Sequence, residues 1–189
     1  MAQKHLANFQ QFYAKPKSKK LPRKVIWKPP DASLLKTNFD SAVFEDLGAV
    51  GTGAVVRDSS GEVLAALSES IPLPSSIVAL ETIAARRAVL FVRELGFSGT
   101  ILEGDSKEAI SAIKKQGFQH LVVGHLVKNI VYSVSMFQYY SFSHSRRQGN
   151  VLARALARRA RLSFPTLVWM NSIRADIYQF FVSNILVTK

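Results

Sequence analysis

The sequence lacks cysteine, has no long apolar run and is short of acidic residues. Without cysteine, the 189-residue chain can form no disulfide, no thiolate zinc site and no cysteine nucleophile, which fits a reducing compartment. No stretch reaches the roughly 18 uninterrupted apolar residues of a membrane helix, and the N-terminus lacks the apolar core of a secretory signal. We therefore expect neither a membrane span nor a secretory signal. Asp and Glu number 13 against 25 Lys and Arg, so a cluster of acids would be conspicuous.

Positive charge is concentrated at the N-terminus. Residues 1–30 contain eight Lys and Arg and no acid, and so hold +8 of the net charge of +12. A basic arm on a weakly basic domain indicates a polyanionic partner, nucleic acid before an anionic membrane; the alternative is a solvated leader. We predict that residues 1–24 are a disordered basic arm. The Lys- and Pro-rich stretch 15–24 is also typical of nuclear import signals, so the expected location is the nucleus or the cytoplasm.

The apolar pattern predicts one α/β domain over residues 25–163. A period of two begins at residue 34, and a Gly-rich segment and a turn at 58–61 follow, which together predict three antiparallel strands. Later segments alternate between helical and strand patterns, at 75–96, 100–104, 106–115, 121–133, 136–143 and 151–162. In this β-β-β-α-β-α-α-β-α order the fourth strand must return through a crossover helix, which predicts a mixed five-stranded sheet with helices packed on it. The apolar, aromatic extension at 164–189 is expected to pack on the domain or on a partner protein.

Three acids lie where a folding chain rarely places charge. Asp40 closes an alternating strand-like run, Glu81 lies on the apolar stripe of a predicted helix, and Asp105 ends another strand-like run. Buried carboxylates are costly unless something positive neutralises them, so we expect a site for a hard divalent cation. Each acid also has a local explanation. Asp40 would suit a strand-end turn, Glu81 the helix dipole, and Asp105 a capping box with Glu108.

A basic face is predicted on the last helix. Arg154, Arg158 and Arg161 follow i, i+4 and i+7 spacing, which produces either a solvated face or a phosphate-contact surface. Arg146 and Arg147 lie at the start of this helix, where Asn150 is a good N-cap. The predicted nucleic-acid contacts are Arg146, Arg147, Asn150, Arg154 and Arg158.

Several short motifs, taken in order, resemble the ribonuclease H-like family, and more narrowly the plant domains related to those of non-LTR retrotransposons. They are WKPP at 27–30, LKTNFDSA at 35–42, GTGAVVRDSSG at 51–61, Glu81, EGDS at 103–106 and HSRRQGNVLARALA at 144–157. Each motif alone is weak, but their order covers roughly residues 27–162. The resemblance implies a ribonuclease H-like fold for the domain at 25–163.

The resemblance also implies an activity, the hydrolysis of the RNA strand of RNA–DNA hybrids. Asp40, Glu81 and Asp105 would be the catalytic residues and would bind two Mg²⁺ ions, with Mn²⁺ as a substitute. One ion would activate a water and the other would stabilise the leaving oxygen. His144 matches a family histidine that would assist product release or pair with an acid, although a purely structural histidine is an equal alternative.

Two positions depart from the family pattern. The fourth metal-site position, typically aspartate and often histidine in the plant members, is Arg154, which is always charged and binds no metal. It would repel Mg²⁺ or pair with Asp40 or Asp105. Ser41 stands where the family usually has glycine, and we expect this change to cost little.

Three hypotheses therefore follow from the sequence. The first is a ribonuclease that acts on RNA–DNA hybrids, with its activity impaired by Arg154. The second is a catalytically decayed ribonuclease H-like module that binds nucleic acid without cutting it. The third is a protein-interaction domain with the aromatic extension at 164–189 as its contact surface.

Overall fold

The structure is a computed structural model that describes residues 27–76, 79–116, 121–162, 166–171 and 177–178. The predicted basic arm at 1–24 and most of the extension at 164–189 lie outside these residues. The helices and strands follow one another as β1 (Lys36–Phe44), β2 (Ala49–Arg57), β3 (Val63–Pro72), α1 (Leu80–Glu94), β4 (Gly99–Gly104), α2 (Lys107–Lys115), α3 (Leu121–Val134), β5 (Tyr139–His144), α4 (Val151–Arg159) and β6 (Thr166–Met170). Short 3₁₀ helices occupy Glu45–Leu47 and Ala160–Leu162. Within the described residues, none of the helices has the length and apolar character needed to cross a bilayer.

The strands form one mixed sheet in the order β5-β4-β1-β2-β3-β6. Strand β1 pairs antiparallel with β2 and parallel with β4, which confirms the predicted meander and crossover. The prediction of five strands was wrong, because the described residues form a sheet of six. The additional strand, β6, pairs antiparallel with β3 and belongs to the segment expected to be an extension. Its five residues are too few for periodicity alone to distinguish a strand from a loop.

Helices cover both faces of the sheet. On one face α1, α2 and α3 pack over the larger core, which includes Phe39, Val56 and Leu102. On the other face α4 packs over a smaller core with Leu152 and Leu156. Here β2 has glycine at Gly51 and Gly53, and a Cβ at either position would overlap the backbone of α4. This close approach carries the start of α4 to the middle of the sheet.

Two helix starts differ from the sequence-based prediction. The helix predicted from residue 75 begins at Leu80, so Glu81 lies in its first turn, and residues 77 and 78 of the predicted helix lie outside the described residues. Ser106, rather than Asp105, caps α2, because its side chain accepts a hydrogen bond from the backbone N–H of Ala109. The side chain of Asp105 is therefore left for other interactions.

Candidate metal centre

Three structural elements bring the predicted acids together. Asp40 lies within β1, and Asp105 directly follows the parallel neighbour β4. Asn38 on β1 pairs with Glu103 on β4. Two residues further along each segment, Asp40 therefore lies beside Asp105. Glu81 comes from the first turn of α1. One carboxylate oxygen from each of the three acids lies within 4.8 Å of the others.

The electrostatics of this cluster suit a divalent cation. Burial, followed by the charges of Glu81 and Asp105, raises the pKa of Asp40 to about 8. Burial also raises the pKa of Glu81, with a further contribution from Asp105. Oε2 of Glu81 is buried and has no hydrogen-bond partner among the described residues. A bound cation would offset the burial and the mutual repulsion that raise the pKa values of Asp40 and Glu81, so these residues fit a divalent metal.

Two arginines oppose that charge. Arg154 is half-buried on α4, and its guanidinium acts to lower the pKa of Asp40. Arg147 is mostly exposed, and its Nε lies 3.6 Å from Oδ2 of Asp105. The sequence left open whether Arg154 pairs with Asp40 or with Asp105, and in the structure Arg147 makes the ion pair with Asp105. The contact was missed because it joins a loop to a strand end 42 residues earlier in the chain.

Ser41 makes a contact that the sequence did not predict. Its Oγ donates a 2.6 Å hydrogen bond to Oε1 of Glu81. This bond acts to lower the pKa of Glu81, against the larger effect of burial. The only signal in the sequence was that serine stands where the resemblance leads us to expect glycine.

Asn150 and His144 each contact the backbone at or next to one of the three acids. Asn150 is 1% exposed and Nδ2 donates to the backbone oxygen of Phe39 at 2.8 Å, so it ties α4 to β1 immediately before Asp40. Its side chain makes no capping hydrogen bond. The prediction that Asn150 contacts nucleic acid does not fit this burial. His144 lies at the end of β5, with Nε2 3.1 Å from the backbone oxygen of Asp105.

The predicted basic face is only partly available. Arg146 and Arg158 are exposed. Arg161 is held by Asp46, with Nη1 2.9 Å from Oδ1, and this contact removes it from the face. Of the arginines predicted to contact nucleic acid, Arg146, Arg147 and Arg158 are exposed and Arg154 is half-buried.

A buried polar network supports the strands beneath the acids. Oδ1 of Asn38 accepts hydrogen bonds from Trp27 and Arg57, both at 2.8 Å, while Nδ2 donates to Glu103 at 2.9 Å. The Arg57 guanidinium lies 3.7 Å from the centre of the Trp27 ring. Burial lowers the pKa of Arg57 to about 9, so it stays charged at neutral pH. The network joins β1, β2 and β4 two residues before Asp40 and Asp105.

Comparison with known proteins relates this architecture to characterised folds. A family model described as Reverse transcriptase-like matches residues 38–160. RNase H1 from the halophilic archaeon Halobacterium salinarum has a TM-score of 0.61 and 22% identity, over 67% of this chain and 96% of that chain. The N-terminal RNase H domain of a Mycobacterium tuberculosis protein has a TM-score of 0.59 and 22% identity, over 67% and 91%.

A further similar structure is LC11-RNase H1 in complex with an RNA/DNA hybrid. It has a TM-score of 0.60 and 19% identity, over 68% of this chain and 99% of that chain. A sequence search finds no curated protein that matches. The TM-scores of 0.59 to 0.61 show a common fold and, at identities of 19 to 22%, nothing finer; this confirms the fold class predicted from the sequence.

Proposed function

Since the chain belongs to the Reverse transcriptase-like family, we propose that it is a ribonuclease H-type endonuclease that hydrolyses the RNA strand of RNA–DNA hybrids. The observation that carries this proposal is the convergence of Asp40, Glu81 and Asp105, with one oxygen of each within 4.8 Å of the others. The three acids come from a strand, the residue after a second strand and a helix, and no local structural feature explains why they meet. Ser106 already caps α2, which removes the alternative explanation for Asp105.

In this proposal the three acids hold divalent cations. Bound Mg²⁺, with Mn²⁺ as a substitute, supplies the activation of a water and the stabilisation of the leaving oxygen. Asp40 is the most buried of the three acids and lies in the central part of the sheet, which suits a ligand shared between two ions. Glu81 reaches the site from α1, and its longer side chain spans the gap from helix to sheet. The acids must lose their protons to bind, so occupancy is favoured by higher pH.

Arg154 reduces cation binding in this proposal. Its charge lies close enough to Asp40 to lower that pKa, and it would repel a cation from the same side. Arg147 competes for Asp105 in a similar way, although it is mostly exposed and free to turn towards a phosphate. We therefore propose that the site binds divalent cations weakly and is occupied only at high cation concentration.

Substrate binding would come from the arginines around the site. Arg146, Arg147 and Arg158 are exposed, and guanidinium groups match the geometry of phosphate oxygens. Recognition would depend on backbone shape and 2′-hydroxyls more than on base sequence. The basic arm would add affinity that is independent of sequence. LC11-RNase H1, which shares the fold, has been solved with an RNA/DNA hybrid bound.

The deciding experiment is cleavage of a labelled RNA–DNA hybrid in Mg²⁺ or Mn²⁺. The wild-type chain should cut the RNA strand, and Asp40→Asn should not. Asp46→Asn is the matched control, because Asp46 is exposed and paired with Arg161. Equal cleavage by wild type and Asp40→Asn, or cleavage by neither, would count against the proposal.

The second candidate function is a nucleic-acid-binding module without catalysis, and Arg154 beside Asp40 favours it. Binding to the hybrid that weakens with salt, without cleavage in either metal, would support this module instead.

We also propose a plant, retrotransposon-related origin and a nuclear or cytoplasmic location for the protein. They depend on the motifs and on the basic residues at 15–24.

A further inference from the structure

We propose that Ser41 is a positioning residue, which fixes the Glu81 carboxylate through Oε1 and leaves Oε2 for a divalent cation. The inference rests on the proposed function, because it takes the three acids as a cation site. The family pattern, with glycine at this position, assigns no role to a side chain here.

The contact is short and joins two elements. Ser41 Oγ donates to Glu81 Oε1 at 2.6 Å, and Oε2 is buried without a hydrogen-bond partner in the described part of the chain. Successive residues of a strand point to opposite faces, so Ser41 shares the face of Phe39, over which α1 packs. Ser41 can therefore reach Glu81 from the side of the helix, while Asp40 approaches from the other face.

A glutamate in this place needs such a restraint. The terminal torsion of Glu is broad, so an unrestrained carboxylate exchanges orientations. A buried acceptor without a partner is unfavourable, so Glu81 would turn Oε2 towards any available donor. Partners that orient metal ligands typically change metal affinity by about 10–100-fold when they are lost. The restraint matters more in a site where Arg154 replaces a fourth ligand.

The test measures the Mn²⁺ affinity of the full chain by calorimetry, in the absence of nucleic acid. Ser41→Ala should weaken Mn²⁺ binding about tenfold, whereas Ser41→Thr keeps the hydroxyl and should restore most of it. Ser68→Ala is the matched control. Its buried hydroxyl donates to the backbone oxygen of Leu156 at 2.9 Å, and Ser68 lies on β3, two strands from Asp40, so the change should lower stability without changing Mn²⁺ affinity.

A metal-free crystal structure of Ser41→Ala gives a second readout. The Glu81 carboxylate should occupy more than one orientation in the variant and a single one in the wild type. Unchanged Mn²⁺ affinity in Ser41→Ala, a wild type that binds no Mn²⁺, or an unchanged Glu81 orientation would overturn the positioning role. A wild type that fails to cleave the hybrid, while Ser41→Ala still loses Mn²⁺ affinity, would overturn the proposed function alone.

Discussion

At the scale of single residues, Asp40 and Arg154 contribute charges of opposite sign to the acidic cluster. Asp40 is 5% exposed, and its burial, followed by the charges of Glu81 and Asp105, raises its pKa while Arg154 acts in the opposite direction. Arg147 adds a second positive charge at Asp105. The cluster is therefore partly neutralised by the chain itself, which leaves less charge to attract a cation.

Replacing Arg154 with Asp should strengthen the site. The change removes a positive charge beside Asp40 and adds an acid at the fourth metal-site position that the resemblance implies. The affinity for Mn²⁺ should therefore rise about tenfold or more. Hybrid cleavage at limiting metal should rise with it. Arg93→Asp is the control, because it makes the same charge change on the exposed last turn of α1. Equal Mn²⁺ affinity in wild type and Arg154→Asp would contradict the assignment of Arg154 as an inhibitory residue.

The raised pKa of Asp40 predicts a pH-dependent instability in metal-free protein. The folded-state pKa is about 8 against an ordinary value of 3.8, so between these values the folded state binds more protons than the unfolded state. Stability therefore falls as pH rises from about 4 to about 8. Asp40→Asn should be more stable than the wild type at pH 8, by on the order of 1 kcal/mol or more, with the difference fading near pH 4.

Urea unfolding in EDTA at pH 4, 6 and 8 measures this effect. Asp46→Asn is the control with the opposite sign, because Arg161 holds the pKa of Asp46 below its usual value. That variant should gain no stability at high pH. A constant difference between Asp40→Asn and wild type across the three pH values would show that Asp40 titrates normally.

At the scale of elements, the position of the acids depends on how three strands are joined. The Asn38 network links β1, β2 and β4, and it encloses two buried cations, Lys36 and Arg57. Glu103 lies 3.5 Å from Lys36 and accepts a hydrogen bond from Asn38. It is the acid that balances the two cations, and it lies on β4 two residues before Asp105, which directly follows that strand.

Glu103→Gln should therefore be strongly destabilising. It keeps the shape of the side chain but leaves buried cations without their counter-charge, which typically costs about 3–5 kcal/mol. Glu94→Gln is the matched control, because Glu94 is mostly exposed in its pair with Arg87 and should change stability by less than about 1 kcal/mol. Chemical denaturation at neutral pH gives both values. Similar losses in the two variants would show that the network contributes little through its charge.

At the scale of the whole molecule, charge is distributed unevenly. Residues 1–24 carry seven Lys and Arg and no acid, in a chain with a net charge of +12. The acidic cluster is thus one small negative site in a basic protein. Long-range attraction would favour a polyanion over a free cation as the first ligand to arrive.

Deleting residues 1–24 should weaken hybrid binding and lower its salt dependence. Each phosphate contact that is lost reduces the slope of log affinity against log salt by about one, so a shallower slope and an affinity loss of about tenfold at moderate salt are expected. Fluorescence anisotropy in EDTA, which prevents metal-dependent cleavage, measures both quantities. Two hybrids of different sequence should lose affinity equally. An unchanged slope would show that the arm does not contact the backbone.

The sequence alone determined the order of the elements, the mixed sheet and the choice of three acids, because alternation, helical spacing and motifs are local properties of a chain. Contacts between distant residues were decided only by the tertiary structure. Pairing with β3 turned residues 166–170 into a sixth strand, and the approach of α4 to β1 buried Asn150. The contacts of Ser41 with Glu81 and of Arg147 with Asp105 span 40 and 42 residues. No local sequence pattern predicts contacts between residues so far apart in the chain, since these contacts depend on how the sheet and helices pack.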